Sequence, residues 1–355
     1  MTLKTNDKRA ITIYDIAKEA GVSPSTVSRV LTDRANVSKE KKQKVQELIK
    51  KYDFQPNTLA KGLANARTKT LGIMIADVRN TYYSNMFIAC EQAAKEQGYT
   101  VILCNSLNNK AHEIELLKKL REQRVDAIIQ IGGSSDDLVS SESYIDAVNQ
   151  YAADIPFVTT GKLDGTAAYM VRIDDRSCMD ILMNYLLDLN HQKIALIGGS
   201  MDVLSTFDKY QRYKQILRMN LLELDEELIS KDGWYDYQTG YQEMKRMLEV
   251  KSDPTAVIAI NETCAVGVIR CLQEHGYRVP EDVSVVSYDN TAIAELVTPR
   301  LTSVDYGYET LGKCLVDTAI GLLEGKKIER MQVFQPNLII RESSGIASEE
   351  WNVEN

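Results

Sequence analysis

Between Ile11 and Leu31 the chain reads ITIYDIAKEAGVSPSTVSRVL, a segment that few folds accept. Thr12 precedes Ile13, Ile16, Ala17 and Ala20, an apolar stripe at helical spacing with an acid, Asp15, in its first turn. Gly21 supplies the left-handed residue that stops a helix, and Ser23 is placed to cap the next one with Pro24 at its first position. The pattern predicts helix, tight turn, helix. In the second helix Val27, Val30 and Leu31 face inward, so Pro24, Ser25, Thr26, Ser28 and Arg29 project outward. Hydroxyls bond phosphates or base edges, and an arginine takes guanine O6 and N7 together, so this outer face suits a DNA major groove. Residues 38–52 predict a third helix with Val45, Leu48 and Ile49 inward, completing a three-helix core.

Charge points the same way. Residues 1–69 carry 15 Lys and Arg against 7 Asp and Glu, whereas the remainder carries 27 against 43, within a total of −8. A basic leader on an acidic body suggests a polyanionic partner for the leader alone. The 355 residues exceed one ordinary domain. No charge-free apolar run is long enough to span a bilayer, and residues 1–10 lack the apolar stretch of a secretory signal, so the expected location is cytoplasmic with no membrane partner. Six cysteines lie far apart without a CxxC pair, and only three histidines accompany them. Reduced, buried thiols and no metal site are expected.

From Thr70 onward short apolar runs alternate with amphipathic stretches, the rhythm of βαβ units in a parallel sheet. Strands are expected at residues 71–76, 100–105, 127–131, 156–160, 193–199, 255–260 and 283–288, with helices between them, for example 85–97 and 263–275. Two repeats of the rhythm, split near Lys162, predict two Rossmann-like subdomains, with a ligand cleft beyond the carboxyl ends of their strands. Gly132-Gly133 and Gly198-Gly199 belong to no GxGxxG or GxxxxGK[ST] motif, and nothing matches GxSxG, HExxH or paired catalytic carboxylates. No cofactor, no catalytic residue and no enzymatic activity are expected. A periplasmic sugar-binding protein would share this core, yet it would need an export signal and would lack the helical leader.

The opening TIYDIAKEAGVSPSTVSRVL, the lysine-rich helix after it, and QPNTLAKGLANARTKTLGIMIAD resemble the LacI/GalR family of transcriptional regulators. The resemblance continues through RNTYYSNMF, VRIDDRS, LNHQKIALIGG, DPTAVIAINETCAVG, YRVPEDVSVVSYDN and PRLTSVDYG, to about Gly345. It implies an α/β protein: a helix-turn-helix headpiece (1–55), a hinge helix and linker (56–69), and a periplasmic-binding-protein-like core. The core's N-subdomain would take 70–161 and 306–333, its C-subdomain 162–305 and 334–345, leaving a tail (346–355) without leucine heptads. The resemblance places Pro24, Ser25 and Arg29 at base-reading positions, and Thr12, Tyr14, Ser23, Thr26, Ser28 and Asn36 against phosphates. In the hinge it sets Asn57 at the cap, Ala60 and Lys61 in the minor groove, and Leu63 as the wedge between base pairs. Double-stranded operator DNA and a homodimer are the implied partners, because two headpieces read two half-sites.

Carried over by the same words, the effector positions are Tyr82, Tyr83, Ser205, Lys209, Tyr235, Asn261, Asp289, Tyr306 and Tyr308. Aromatic faces cover the apolar side of a sugar ring while amides and carboxylates fix its hydroxyls, so a carbohydrate or sugar phosphate is the implied effector, and the implied function is repression of carbohydrate-utilisation genes. The chain departs from the family at Pro24, at Lys209 (an arginine elsewhere), at Arg212 (a glycine), at Glu262 (an aspartate) and at Asn290 (the second acid of a YDD word). A purine or nucleoside effector, or a protein co-repressor such as a phosphorylated carrier, remains the alternative, and either sign of allosteric coupling is open. Residues 57–64 form too short a helix to persist alone in water, and unstacking by Leu63 must be offset by wider contact on bent DNA. Hydrogen exchange over residues 57–64 is therefore expected to slow on operator binding; unchanged exchange would remove the wedge.

Overall fold

The computed structural model describes residues 11–31, 37–52, 54, 67–230 and 233–348. The chain divides into two compact units, Met1–Thr68 and Lys69–Asn355. In the first, α1 is Ile13–Ala20, α2 is Pro24–Leu31 and α3 is Lys39–Lys51. Thr12 opens α1 through a capping box: its hydroxyl accepts from the Asp15 amide (3.3 Å), and the Asp15 carboxylate accepts from the Thr12 amide (2.9 Å). Gly21, at φ 69°, ends the helix, and Ser23 Oγ accepts from the Thr26 amide (3.3 Å) to start the next. Ile16, Ala17, Ala20, Val27, Val30, Val45 and Leu48 form the core, with Leu31 and Ile49 at its edge. Glu19 pins α1 to the end of α3, accepting from Lys51 Nζ (2.8 Å) and the Tyr52 hydroxyl (2.7 Å).

The second unit begins with β1 (Thr70–Ile75), α4 (Thr81–Glu96), β2 (Thr100–Asn105), α5 (Lys110–Glu122), β3 (Ala127–Ile131), α6 (Glu142–Tyr151), β4 (Phe157–Thr159) and β5 (Tyr169–Ile173). It continues with α7 (Asp175–Asp188), β6 (Ile194–Ile197), α8 (Leu204–Met219), α9 (Tyr237–Glu249), β7 (Ala256–Ala259), α10 (Glu262–Glu274), β8 (Ser284–Asp289), α11 (Ala292–Leu296) and β9 (Thr302–Asp305). It closes with α12 (Tyr308–Leu323), β10 (Met331–Phe334) and β11 (Asn337–Ile339). The strands form two sheets. One, wholly parallel, runs β10, β5, β4, β3, β1, β2; the other runs β11, β9, β8, β7, β6, parallel except for β11. Central strands such as β3 and β8 are buried along their whole length, as a parallel sheet covered by helices on both faces requires.

Sheet membership moves one expected boundary. Tyr169–Ile173 pairs with β4 and β10 in the first sheet, so the crossing to the second half follows β5 rather than Lys162. This strand reads weakly in the sequence because three of its five residues are only half-buried. The return through α12 agrees with its apolar spacing: Leu311, Leu315 and Ala319 are buried, Leu322 partly so, and the helix packs on α4 and on β3–β5.

The tightest helix pair of the second half, α9 and α10, meets through glycines. A methyl on Gly240 would overlap the Cys264 carbonyl, and one on Gly267 the Tyr237 carbonyl. Backbone cannot retreat as a flexible side chain can, so Gly267→Ala is expected to destabilise the core by about 1–3 kcal/mol. Urea denaturation measures this, and an unchanged midpoint would show that the helices separate freely.

Candidate functional site

The headpiece presents one polar face. Ser23, Pro24, Ser25 and Arg29 are exposed, Thr26 and Ser28 half-buried, and Tyr14 stands 71% exposed on α1. The hydroxyls form a chain, Ser25 to Ser23 (2.8 Å) and Ser23 to Thr26 (2.9 Å), so they meet a ligand as one hydrogen-bonded row. The Thr12 hydroxyl is already committed to Asp15 (2.6 Å), which makes helix capping its first role. Asn36, Asn57, Ala60, Lys61 and Leu63 lie outside the described residues.

In the core, strand ends converge. Tyr82 and Tyr83 occupy the first turn of α4, capped by Asn80 Oδ1, which accepts from the Tyr82 amide (3.0 Å). Tyr83 packs on Gly132, whose φ of 72° and lack of a side chain make room for the ring. Tyr306 and Tyr308 follow β9. The four rings form an edge-on cluster with Tyr82 at its centre, 5.1 Å from Tyr83, 5.8 Å from Tyr306 and 6.0 Å from Tyr308. The Tyr308 hydroxyl is buried without a hydrogen-bond partner. Asp289, the last residue of β8, is 7% exposed at φ 98°, a strained conformation for any residue but glycine. Burial, and then the charge of Glu262, push its carboxyl well above the ordinary range, with Lys209 opposing.

The two halves touch across this space. Leu204 N donates to Asp136 O (2.8 Å), Leu138 N to Asp202 O (2.7 Å), and Ser205 Oγ to Asp136 Oδ2 (2.7 Å). The Ser205 hydroxyl, expected at an effector, is thus engaged by the opposite half. Burial, and then Asp175, push Asp136 up to about 6, against the Ser205 bond and the charges of Lys209 and Arg172. Lys209 is 5% exposed; it donates to Asp175 and lies 5.2 Å from the centre of the Tyr288 ring. Burial opposes its charge, but Asp175 outweighs this and holds the ammonium above its usual range. Asp175 also accepts from Arg172 (3.0 Å).

Asn261 is committed elsewhere: Oδ1 caps α10 by accepting from the Cys264 amide (2.9 Å), and Nδ2 donates to the Tyr235 carbonyl (2.9 Å). It therefore positions Tyr235, whose hydroxyl bonds that of Thr206 (2.7 Å). Sequence reasoning missed Asp136 and Asp175. Each follows the end of a first-sheet strand, in SSDD and RIDDRS, and acid pairs at such positions were the available signal. Two cavities are lined by other residues. One, of about 320 Å³, is bordered by Val148, Phe157, Tyr169 and Leu322; the other, of about 270 Å³, by Arg176, Arg212, Lys214 and Arg218. Among the described residues no helix is long and apolar enough to cross a membrane, and no cluster of His, Cys, Asp or Glu is gathered for a metal ion.

Comparison with known proteins agrees with both halves of this description. The family model for bacterial regulatory proteins of the lacI family matches residues 12–57, and that for the periplasmic binding protein-like domain matches residues 183–344. Catabolite control protein A of Staphylococcus xylosus is 34% identical over 334 residues, 93% of this chain and 96% of that protein. The protein of the same name from Priestia megaterium is 32% identical over 296 residues, 83% and 87% of the two chains. Among solved structures, the lac repressor dimer bound to operator and the anti-inducer ONPF superposes with a TM-score of 0.85 at 25% identity, over 95% of this chain and 100% of that one. The transcriptional regulator CelR in complex with cellobiose gives 0.69 at 26% identity, over 94% and 100%. The chain belongs to the lacI family of bacterial regulatory proteins and is a DNA-binding transcriptional regulator.

Proposed function

We propose that this regulator is a homodimeric repressor of carbohydrate-utilisation genes, whose operator affinity is set by a small carbohydrate held between the two halves of its core. The observation that carries the effector reading is Asp289. Its carboxylate is buried to 7% exposure and has no hydrogen-bond or ion-pair partner among the described residues. An unpartnered buried carboxylate is costly, and sugar hydroxyls supply the missing donors while the faces of Tyr82, Tyr83, Tyr306 and Tyr308 cover an apolar ring face. Lys209 and Tyr235 complete the wall, with Ser205 and Asn261 acting through Asp136 and Tyr235. The relatives' name, catabolite control protein A, and the cellobiose complex of CelR support control of sugar catabolism.

On the DNA side, Pro24, Ser25 and Arg29 read bases from the exposed face of α2, and Thr12, Tyr14, Ser23, Thr26, Ser28 and Asn36 hold phosphates. Asn57, Ala60, Lys61 and Leu63 engage the minor groove. Two such headpieces on two half-sites require a dimer, the state in which the lac repressor meets its operator.

A thermal-shift screen against neutral mono- and disaccharides tests the effector reading, since a ligand that binds only the folded state raises its melting temperature; a response to purines with silence on every sugar would refute the carbohydrate class. Arg29→Ala is expected to lose about 1–3 kcal/mol of operator discrimination, read as the ratio of operator to random-DNA affinity; equal losses on both would make Arg29 a phosphate contact. Ser205→Ala removes the hydroxyl that stabilises ionised Asp136. Its cost, about 1–2 kcal/mol for a lost hydrogen bond to a half-buried charged acceptor, is expected well above pH 6, where Asp136 is ionised, and shrinks below it, where the acid is protonated. Denaturation of both proteins at the two pH values checks the sign.

A further inference from the structure

One cavity of the core is bordered by cations and amides. Arg176, Gln211, Arg212, Lys214, Gln215 and Arg218 enclose about 270 Å³, and no acid is among them. Residues 211, 214, 215 and 218 form a single stripe of α8, and Arg176 lines the cavity from the first turn of α7. Two ion pairs hold these helices side by side: Arg176 with Asp208 (3.7 Å), then, one turn further along both, Asp180 with Arg212 (2.5 Å). The surrounding body is acidic, with 43 Asp and Glu against 27 Lys and Arg beyond residue 69, so this grouping is no by-product of a generally basic surface.

The carboxylates nearby leave donors to spare. Asp208 is shared with Arg172 (3.7 Å), Glu226 meets Lys214 (3.1 Å) with its own side chain 63% exposed, and Asp180 takes only Nε of Arg212. Nη1 of Arg212 donates to Gln215 Oε1 (2.7 Å), which leaves Nη2 without a partner among the described residues. The exposed guanidinium of Arg218 has no partner among them at all. Ion pairs between exposed groups contribute little, so an arriving anion draws on these cations at small cost. Guanidinium groups present paired N–H donors that match the oxygens of a phosphoryl group. A long polyanion would have to run over the acidic body, whereas a small one need not, and the volume lies just below the usual range for small-molecule sites. We propose that the groove between α7 and α8 binds a small phosphorylated molecule. The groove shares no residue with the proposed carbohydrate site and does not depend on that reading.

Isothermal titration of the full-length protein tests this with inorganic phosphate, pyrophosphate and glycerol 3-phosphate, at an ionic strength held constant with sodium chloride. At least one of them is expected to saturate a single site per subunit. Arg218→Glu and Arg212→Gln are each expected to weaken that affinity about ten-fold or more, the effect of losing one hydrogen bond to a charged group. Circular dichroism checks both folds; should Arg212→Gln not fold, Arg218→Glu carries the test, because it strands no partner. Lys44→Glu, at an exposed position of α3, is expected to leave the affinity unchanged, since it reverses a headpiece charge alone. Saturation lost in Lys44→Glu but kept in both groove variants would assign the anion to the basic headpiece and overturn the site, as would absence of saturation by all three anions. A Gly-Gly-phosphoserine-Gly-Gly peptide that binds about ten-fold more tightly than glycerol 3-phosphate, and loses that advantage in Arg218→Glu, would overturn the small molecule in favour of a phosphorylated protein.

Discussion

The side chains at the candidate site hang from strand ends, loops and helix starts, and two buried glutamates hold two of those loops in place. Glu113, in the first turn of α5, accepts from the Ser134 amide (3.2 Å) and the Ser106 hydroxyl (3.1 Å), tying down the loop that leads to Asp136. Glu262, at the start of α10, accepts from the Thr291 amide (3.0 Å), the Thr291 hydroxyl and the Ser303 hydroxyl (3.1 Å), fixing the turn after Asp289 to β9. Both are 1% exposed, and burial raises both, Glu262 to about 7. Their positions at helix N-termini offset part of that cost through the helix dipole. Each half thus uses the same device, a first-turn carboxylate turned back onto the loop of a neighbouring strand.

With the loops fixed, the two halves meet near α8 through a few polar contacts. Two backbone hydrogen bonds, the Arg172–Asp208 ion pair (3.7 Å) and the Ser205–Asp136 bond span the gap near α8. Each is worth on the order of 1 kcal/mol net, and the last involves an acid that burial already disfavours. Polar contacts of this strength can be biased by a ligand of ordinary affinity, because a ligand shifts such a balance by its difference in affinity for the two forms. Rigid loops and a soft closure suit a sensor.

The sequence displayed the parts of the fold that follow from one regular pattern. The stripe Ile13, Ile16, Ala17, Ala20 and the stop at Gly21 specify α1 and its turn, and continuous apolar runs mark β1, β3, β6, β7 and β8, which are covered on both faces. Strands β5, β9, β10 and β11 were not anticipated. Three of them are half-exposed, and β9, although buried, reads TSVD because its hydroxyls bond Ser287, Ser344 and Glu262 rather than pack against carbon. Polar burial of this kind leaves no hydropathy signal. The same limit hid Asp136 and Asp175, whose importance comes from the neighbours that the fold brings to them.

The departures from the family pattern make sense together as a redistribution of charge. Glu262, longer by one methylene than an aspartate, reaches both Thr291 and Ser303. Asn290, in place of an acid, accepts from Arg341 (2.8 Å) without adding a further negative charge beside Asp289 and Glu262. Lys209 offers one ammonium where an arginine would offer a fork of donors, and Asp175 takes it. Arg212, where the family has a glycine, bonds Asp180 (2.5 Å) and contributes no charge to the strand ends. Positive charge is therefore engaged by other acids, and no third acid is added beside Asp289 and Glu262. Asp289, buried and without a hydrogen-bond or ion-pair partner among the described residues, is the group on which the proposed effector reading turns.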